Sequence, residues 1–385
     1  MSIPLAPARA MPVAARRAFP LFAAGSLGLL CGELLIFFGS AWDIQWHVDV
    51  GPDTFLTAPH LLIYSGAVLD GITCLAVVLA STFRTRQPDI PTDPAVVPIL
   101  WRTFWAPVGF VLGGTGAALW LVFGSFDQWW HRVYGFDVAL DSPPHVGLSL
   151  ADITAVLGCV TVFALLVTRS KQASVWRTWP VIGLATAGAI LLSNSIAFET
   201  FSWMPSSILG VLDGPLTLTA AFYGLVMLMV VSIVRRPGTA ALTGLVFTLL
   251  SGASWAVSMW ATRAYAASIG LALRDDAAGF PILTLVLPKF VLLAGVLIDL
   301  VLRLARRRNL GVRAGVALAA GVGMLALVGL EAPVLTGGGI VPVIAPVATT
   351  ITAAVVGAVA GWAGWKLGVV IRRVATGPTA TQEEQ

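Results

Sequence analysis

The chain has 385 residues, of which 57% are hydrophobic and 11% charged, with a formal net charge of +4. A mean hydropathy of +0.89 excludes an ordinary soluble globular protein. The small basic surplus calls for no nucleic acid, because basic loops beside a membrane account for it.

Residues 1–17 carry Arg9, Arg16 and Arg17 ahead of an apolar run, as a signal peptide does. The run is too long for one and leads straight into Asp43, so a cytoplasmic segment 1–17 and a retained helix over 18–43 are expected. Helices follow over 59–83, 103–128, 144–168, 177–198, 213–234, 239–261, 280–305, 312–331 and 345–371, each near the ~20 apolar residues that cross a bilayer. The fold class is therefore all-α: a polytopic membrane helical bundle of about ten transmembrane helices. Residues 374–385, "VATGPTATQEEQ", read as a disordered cytoplasmic tail.

Basic residues orient the chain. With the N-terminus cytoplasmic, the inner segments hold Arg9, Arg16 and Arg17, then Arg84, Arg86 and Arg102, then Arg169, Lys171 and Arg177. They continue with Arg235 and Arg236, with Arg303, Arg306, Arg307, Arg308 and Arg313, and with Arg372 and Arg373. That is 18 of the 23 lysines and arginines, as expected of an inner-membrane protein with both termini cytoplasmic. Cys31, Cys74 and Cys159 fall inside spans and read as packing residues. Gly357 and Gly361 form a G-x-x-x-G, a close-packing signal in membrane helices.

All four histidines lie in two stretches, "WDIQWHVDVGPDTFLTAPH" (42–60) and "FDQWWHRVYGFDVALDSPPH" (126–145). Asp43, His47, Gly51 and Asp53 recur 84 residues later as Asp127, His131, Gly135 and Asp137, and His60 recurs 85 later as His145. Residues 18–168 thus read as a duplicated helical hairpin, and 169–373 as a C-terminal bundle without histidine. Asp43 and His47 are i and i+4, so on a helix they share a face. Gly51-Pro52 stops that helix, and Pro59 starts the next with His60 in its first turn. The hairpin returns His60 to the Asp43/His47 pair, and the second loop repeats this with Asp127, His131 and His145.

Two imidazoles and a carboxylate make an open N₂O set suited to copper, iron or zinc. The plainer reading is an interfacial Asp-His hydrogen bond flanked by tryptophan anchors. Two such loops, holding every histidine in the chain, favour metal. Trp42, Trp46, Trp129 and Trp130 are candidates to wall the site, and Asp53 and Asp137 are candidates to hydrogen-bond the ligating histidines. Asp49 and Asp141 read as solvated loop acids. Glu33, Asp70, Asp152 and Asp299 lie within spans, where carboxylates suggest function. Glu33 and Asp70, each ten residues or ~15 Å from a ligand, are the candidates for a proton path. Arg263, Arg274, Asp275, Asp276 and Lys289 share the outer face and are candidates to cover the site.

The spacings D-x3-H-x12-H and D-x3-H-x13-H resemble the metal pattern of the C subunit of copper membrane monooxygenases, the particulate methane and ammonia monooxygenases. The likeness is confined to these motifs and their helices. It implies copper held by Asp43, His47 and His60, a second site at Asp127, His131 and His145, and dioxygen chemistry on a small apolar substrate at the extracytoplasmic face. It also implies a cupredoxin-like or other membrane subunit as partner. Where the family pattern has Asn, this chain has Asp127. The chain also has about four helices more than that subunit. Alternatives are a copper or zinc handling or transport protein, a haem-binding membrane protein, and a zinc-dependent intramembrane hydrolase.

Overall fold

A chain inside hydrocarbon must satisfy its backbone amides internally, so long apolar runs fold as helices. The computed structural model describes residues 13–51, 54–135, 141–170, 178–201, 206–209, 211–335 and 344–376. The elements are α1 (Val13–Asp49), α2 (Ala58–Thr85), β1 (Val96–Ile99), β2 (Phe104–Pro107), α3 (Val108–Tyr134), α4 (Pro143–Ser170), α5 (Trp179–Ser193) and α6 (Ile196–Thr200). They continue as β3 (Ser207–Ile208), β4 (Leu212–Asp213), α7 (Gly214–Val234), α8 (Thr239–Ser268), α9 (Leu283–Val286), α10 (Val291–Arg307), α11 (Val312–Leu335) and α12 (Ile344–Thr376). Ten spans among the described residues are long and apolar enough to cross a membrane, with α5–α6 and α9–α10 each forming one interrupted span. The all-α membrane bundle holds.

Several ends differ from the sequence reading. α1 runs through Asp43 to Asp49, and α3 runs to Tyr134. Helical hydrogen bonding continues past the end of the apolar run until Gly51 (φ +110°) or Gly135 (φ +85°) breaks it. The third helix begins at Val108, not 103. Pro107, at φ −62° and ψ 140°, is extended, and β2 pairs antiparallel with β1. α12 reaches Thr376, shortening the expected tail, whose remainder lies outside the described residues, as do Asp53 and Asp137.

The hairpins α1–α2 and α3–α4 pack side by side; α4 also meets α5, and α1 meets α8. α4 and α7 form the centre, with 72% and 78% of their span windows buried, against 28% for α2 and α3. Gly357 and Gly361 do pack closely, Gly357 against Gly224 of α7 and Met324, and Gly361 against Ala320 of α11. Away from the histidines, a buried Arg169–Asp93 ion pair ties the end of α4 to the α2–β1 loop, with Arg169 lying 5.5 Å over the Phe22 ring.

Candidate metal centre

The first triplet is built by helix continuity and a closed turn. Asp43 and His47 sit on the last turns of α1, with Asp43 Oδ2 3.7 Å from His47 Nε2. The chain turns at Gly51, and Thr57 closes the turn before α2: its hydroxyl accepts from Thr54 N (2.8 Å) and donates to Thr54 O (2.7 Å). With Pro59 in the first turn of α2, His60 comes back over α1, its Nε2 3.1 Å from Asp43 Oδ1. The second hairpin repeats the arrangement. His131 Nε2 and His145 Nε2 each lie 3.4 Å from Asp127 Oδ1. The imidazole centroids are 6.4 Å apart in the first set and 6.1 Å in the second.

The outer nitrogens decide what the inner ones present. His60 Nδ1 lies 3.0 Å from Thr54 O, and His131 Nδ1 lies 3.3 Å from Gly135 O. A carbonyl only accepts, so each Nδ1 carries the proton and each Nε2 turns a lone pair inward. That lone pair faces a carboxylate oxygen, and neither Asp43 Oδ1 nor Asp127 Oδ1 has a hydrogen-bond partner among the described residues. Two acceptors at 3.1–3.4 Å repel unless a proton on the imidazole or a metal cation lies between them. In each triplet one ligand atom per residue falls within 4.8 Å of the others. The spacing suits a cation bound tetrahedrally by N and O at ~2.1 Å, which sets ligand atoms ~3.4 Å apart. The donor set fits a divalent or monovalent transition metal.

Both triplets open on one cavity of about 220 Å³. Its floor and walls are largely apolar, with Ile36, Phe37, Ile44, Ile63, Leu148 and Ile190 among them, and Leu283 and Leu287 from the interrupted α9–α10 span. Asp152 and Asn194 also reach it, and Asn194 Nδ2 donates to Asp152 Oδ2 at 2.9 Å. The C-terminal half therefore supplies the wall opposite the histidines. None of the four tryptophans expected to wall the site lines the cavity; Trp120 does. Trp42 and Trp46 pack instead on Tyr265, and Trp129 stacks on Phe126.

Asp49 is not a solvated loop acid but 1% exposed. Its carboxylate accepts from Gln45 Nε2 (2.8 Å) and Ala278 N (3.1 Å), and its carbonyl accepts from Arg274 N (2.8 Å). Gln45 Oε1 in turn accepts from Ile282 N at 2.9 Å. The α8–α9 connection, with Arg274, Asp275 and Asp276, is thereby clamped to the end of α1 next to the first triplet. Lys289 faces elsewhere, bonding Glu331 at 2.8 Å; Glu331 is a buried acid the sequence reading passed over inside an apolar run. Asp299 accepts from Ala241 N at 2.8 Å and caps the start of α8, a structural role. Glu33 and Asp70 are fully buried below the cavity.

No family model, curated protein or solved structure matches this chain.

Proposed function

We propose that this chain is a copper-dependent membrane oxidoreductase, alone or as a subunit, acting with dioxygen on a small apolar substrate drawn from the bilayer. The observation that carries the reading is the pair of inward-facing Nε2/carboxylate sets sharing one largely apolar cavity. The choice of copper over zinc or iron rests on the resemblance of the D-x3-H-x12-H and D-x3-H-x13-H spacings to the copper membrane monooxygenases. Copper bound there would supply dioxygen binding and one-electron chemistry. Asp43, His47 and His60 would hold one ion and Asp127, His131 and His145 another. The Thr54 and Gly135 carbonyls fix two of the imidazoles. Ile36, Phe37, Ile63 and Leu148 bind the apolar substrate and exclude water. The basic inner loops favour an extracytoplasmic cavity, within reach of a cupredoxin-like electron donor.

The buried acids below the cavity favour a second reading, a copper or zinc carrier that passes metal inward along carboxylates. Metal analysis with electron paramagnetic resonance on detergent-purified protein tests the metal assignment on which both rest. The oxidoreductase reading expects up to two copper ions per chain, a signal coupled to imidazole nitrogen, and loss of nearly all metal in His47→Ala/His131→Ala. Full metal retention in that double variant would sink both readings, and zinc alone at the site would point to hydrolysis.

A further inference from the structure

We propose that Asp152, Glu33 and Asp70 form a proton relay that opens on the metal cavity at Asp152. The proposal rests on the copper reading above and adds the route by which the cavity receives protons.

The three acids descend in steps. Asp152 is seven residues beyond His145 on α4, ~10 Å along the axis, and Glu33 and Asp70 are each ten residues from a ligand, ~15 Å. Asp152 is the member that touches the cavity, and Asn194 holds it there. Glu33 of α1 is 0% exposed and Asp70 of α2 is 1% exposed. None of their four carboxyl oxygens has a hydrogen-bond partner among the described residues. Glu33 lies about one turn before Ile36 of α1, which lines the cavity with Asp152, and α1 packs on both α2 and α4, the helices that carry Asp70 and Asp152.

Packing alone does not account for the trio. A carboxyl in an apolar bundle is costly where leucine would serve, and α1 makes special room for one. A Cβ on Gly32 would overlap Asp70 Oδ1, so the close α1–α2 crossing admits the carboxyl only beside glycine. A carboxylate needs donors: Asp152 has one in Asn194, while Glu33 and Asp70 have none among the described residues. That difference sets the order of transfer. Asp152 gives its proton to a base in the cavity, Glu33 reprotonates Asp152, and Asp70 reprotonates Glu33. Three carboxyl O–H bonds break; two re-form, on Asp152 and Glu33, and the third proton binds the base. Water must then return a proton to Asp70, which has no donor among the described residues to hold the charge. The driving change is the arrival of an electron at the copper from a one-electron donor outside the chain.

The test uses full-length protein in detergent, loaded with copper, its metal counted, then reduced with ascorbate in light and in heavy water. Infrared difference spectra follow the carbonyl stretch of protonated carboxyls, and a pH-indicator dye follows proton uptake. Wild type should show carboxyl bands that shift in heavy water. Asp152→Asn and Glu33→Gln should each lose a band and slow uptake about tenfold or more, with copper content unchanged. Should a variant fail to purify, the wild-type band alone decides. Copper that binds and reduces without any deuterium-sensitive carboxyl band overturns the relay and leaves the copper reading standing. Wild type that binds no copper overturns both. Copper in excess of two per chain that falls in Glu33→Gln makes the acids metal ligands and overturns the relay.

Discussion

Asp43 and Asp127 occupy the same place in the two hairpins but use their oxygens differently. Asp43 meets His60 through Oδ1 and His47 through Oδ2, whereas Asp127 meets both histidines through Oδ1. An amide at 127 can keep its oxygen toward both imidazoles and turn its NH₂ away; an amide at 43 must present NH₂ to one of them. Asp127→Asn should therefore keep metal with at most ~10-fold weaker affinity, and Asp43→Asn should lose ~100-fold at its own site. Metal per chain after identical dialysis of the two variants measures this, and equal losses would argue against the asymmetry. That Asp43, His47 and His60 come together, as do Asp127, His131 and His145, was legible in the sequence because helix periodicity and a turn after each Asp-His pair fix their relative positions locally. Asp152 was legible only as a buried acid, and Trp120 and Asn194 not at all as cavity residues. Their place depends on which helices pack together, which no local pattern encodes. The same holds for Asp49, whose partners Arg274 N and Ala278 N are more than 220 residues away along the chain.

At the level of elements, the hairpins are held to geometry by glycines where helices cross. Gly39, one turn below Asp43, faces α2 at Ile63: a Cβ there would lie 2.7 Å from Ile63 Cγ1 and 2.9 Å from its backbone nitrogen. The side chain has room to turn, but the backbone does not, so Gly39→Ala should push the first turn of α2 outward and carry His60 with it. The expected outcome is a ~10-fold loss of affinity at the first triplet with the second unchanged. Gly124, on α3 with nothing within 4 Å of its Cβ position, is the control; Gly124→Ala should bind metal as wild type does and stabilise the helix by roughly 0.5–1 kcal/mol. Titration of each variant with copper, reading the two sites separately through His131→Ala and His47→Ala backgrounds, checks the pair. Hydropathy found these helices but misplaced their ends. It sees where apolar residues stop, whereas the helix stops where hydrogen bonding does, at Gly51 and Gly135. The same limit hid the β1–β2 hairpin: Phe104, Trp105 and Ala106 read as the start of a span, but Pro107 holds them extended.

For the whole molecule, ten spans among the described residues are long and apolar enough to cross a membrane, and the 269–282 connection is bonded to the end of α1 beside the first triplet. Composition made this architecture legible because a bilayer leaves the backbone so few solutions. Which end faces the cytoplasm is a separate matter, set by the bases. Arg306, Arg307 and Arg308 flank Leu310, whereas no lysine or arginine lies between His47 and His60. Leu56, between α1 and α2, and Leu310, between α10 and α11, are 64% and 46% exposed, so either position can present a thiol to water. In a Cys31→Ser background, with Cys74 and Cys159 buried, Leu56→Cys should react with a membrane-impermeant maleimide in intact cells. Leu310→Cys should react only after lysis. The opposite pattern would put the shared cavity on the cytoplasmic side, out of reach of an extracytoplasmic copper protein, and would make an inward-facing metal carrier the better account of the same six side chains.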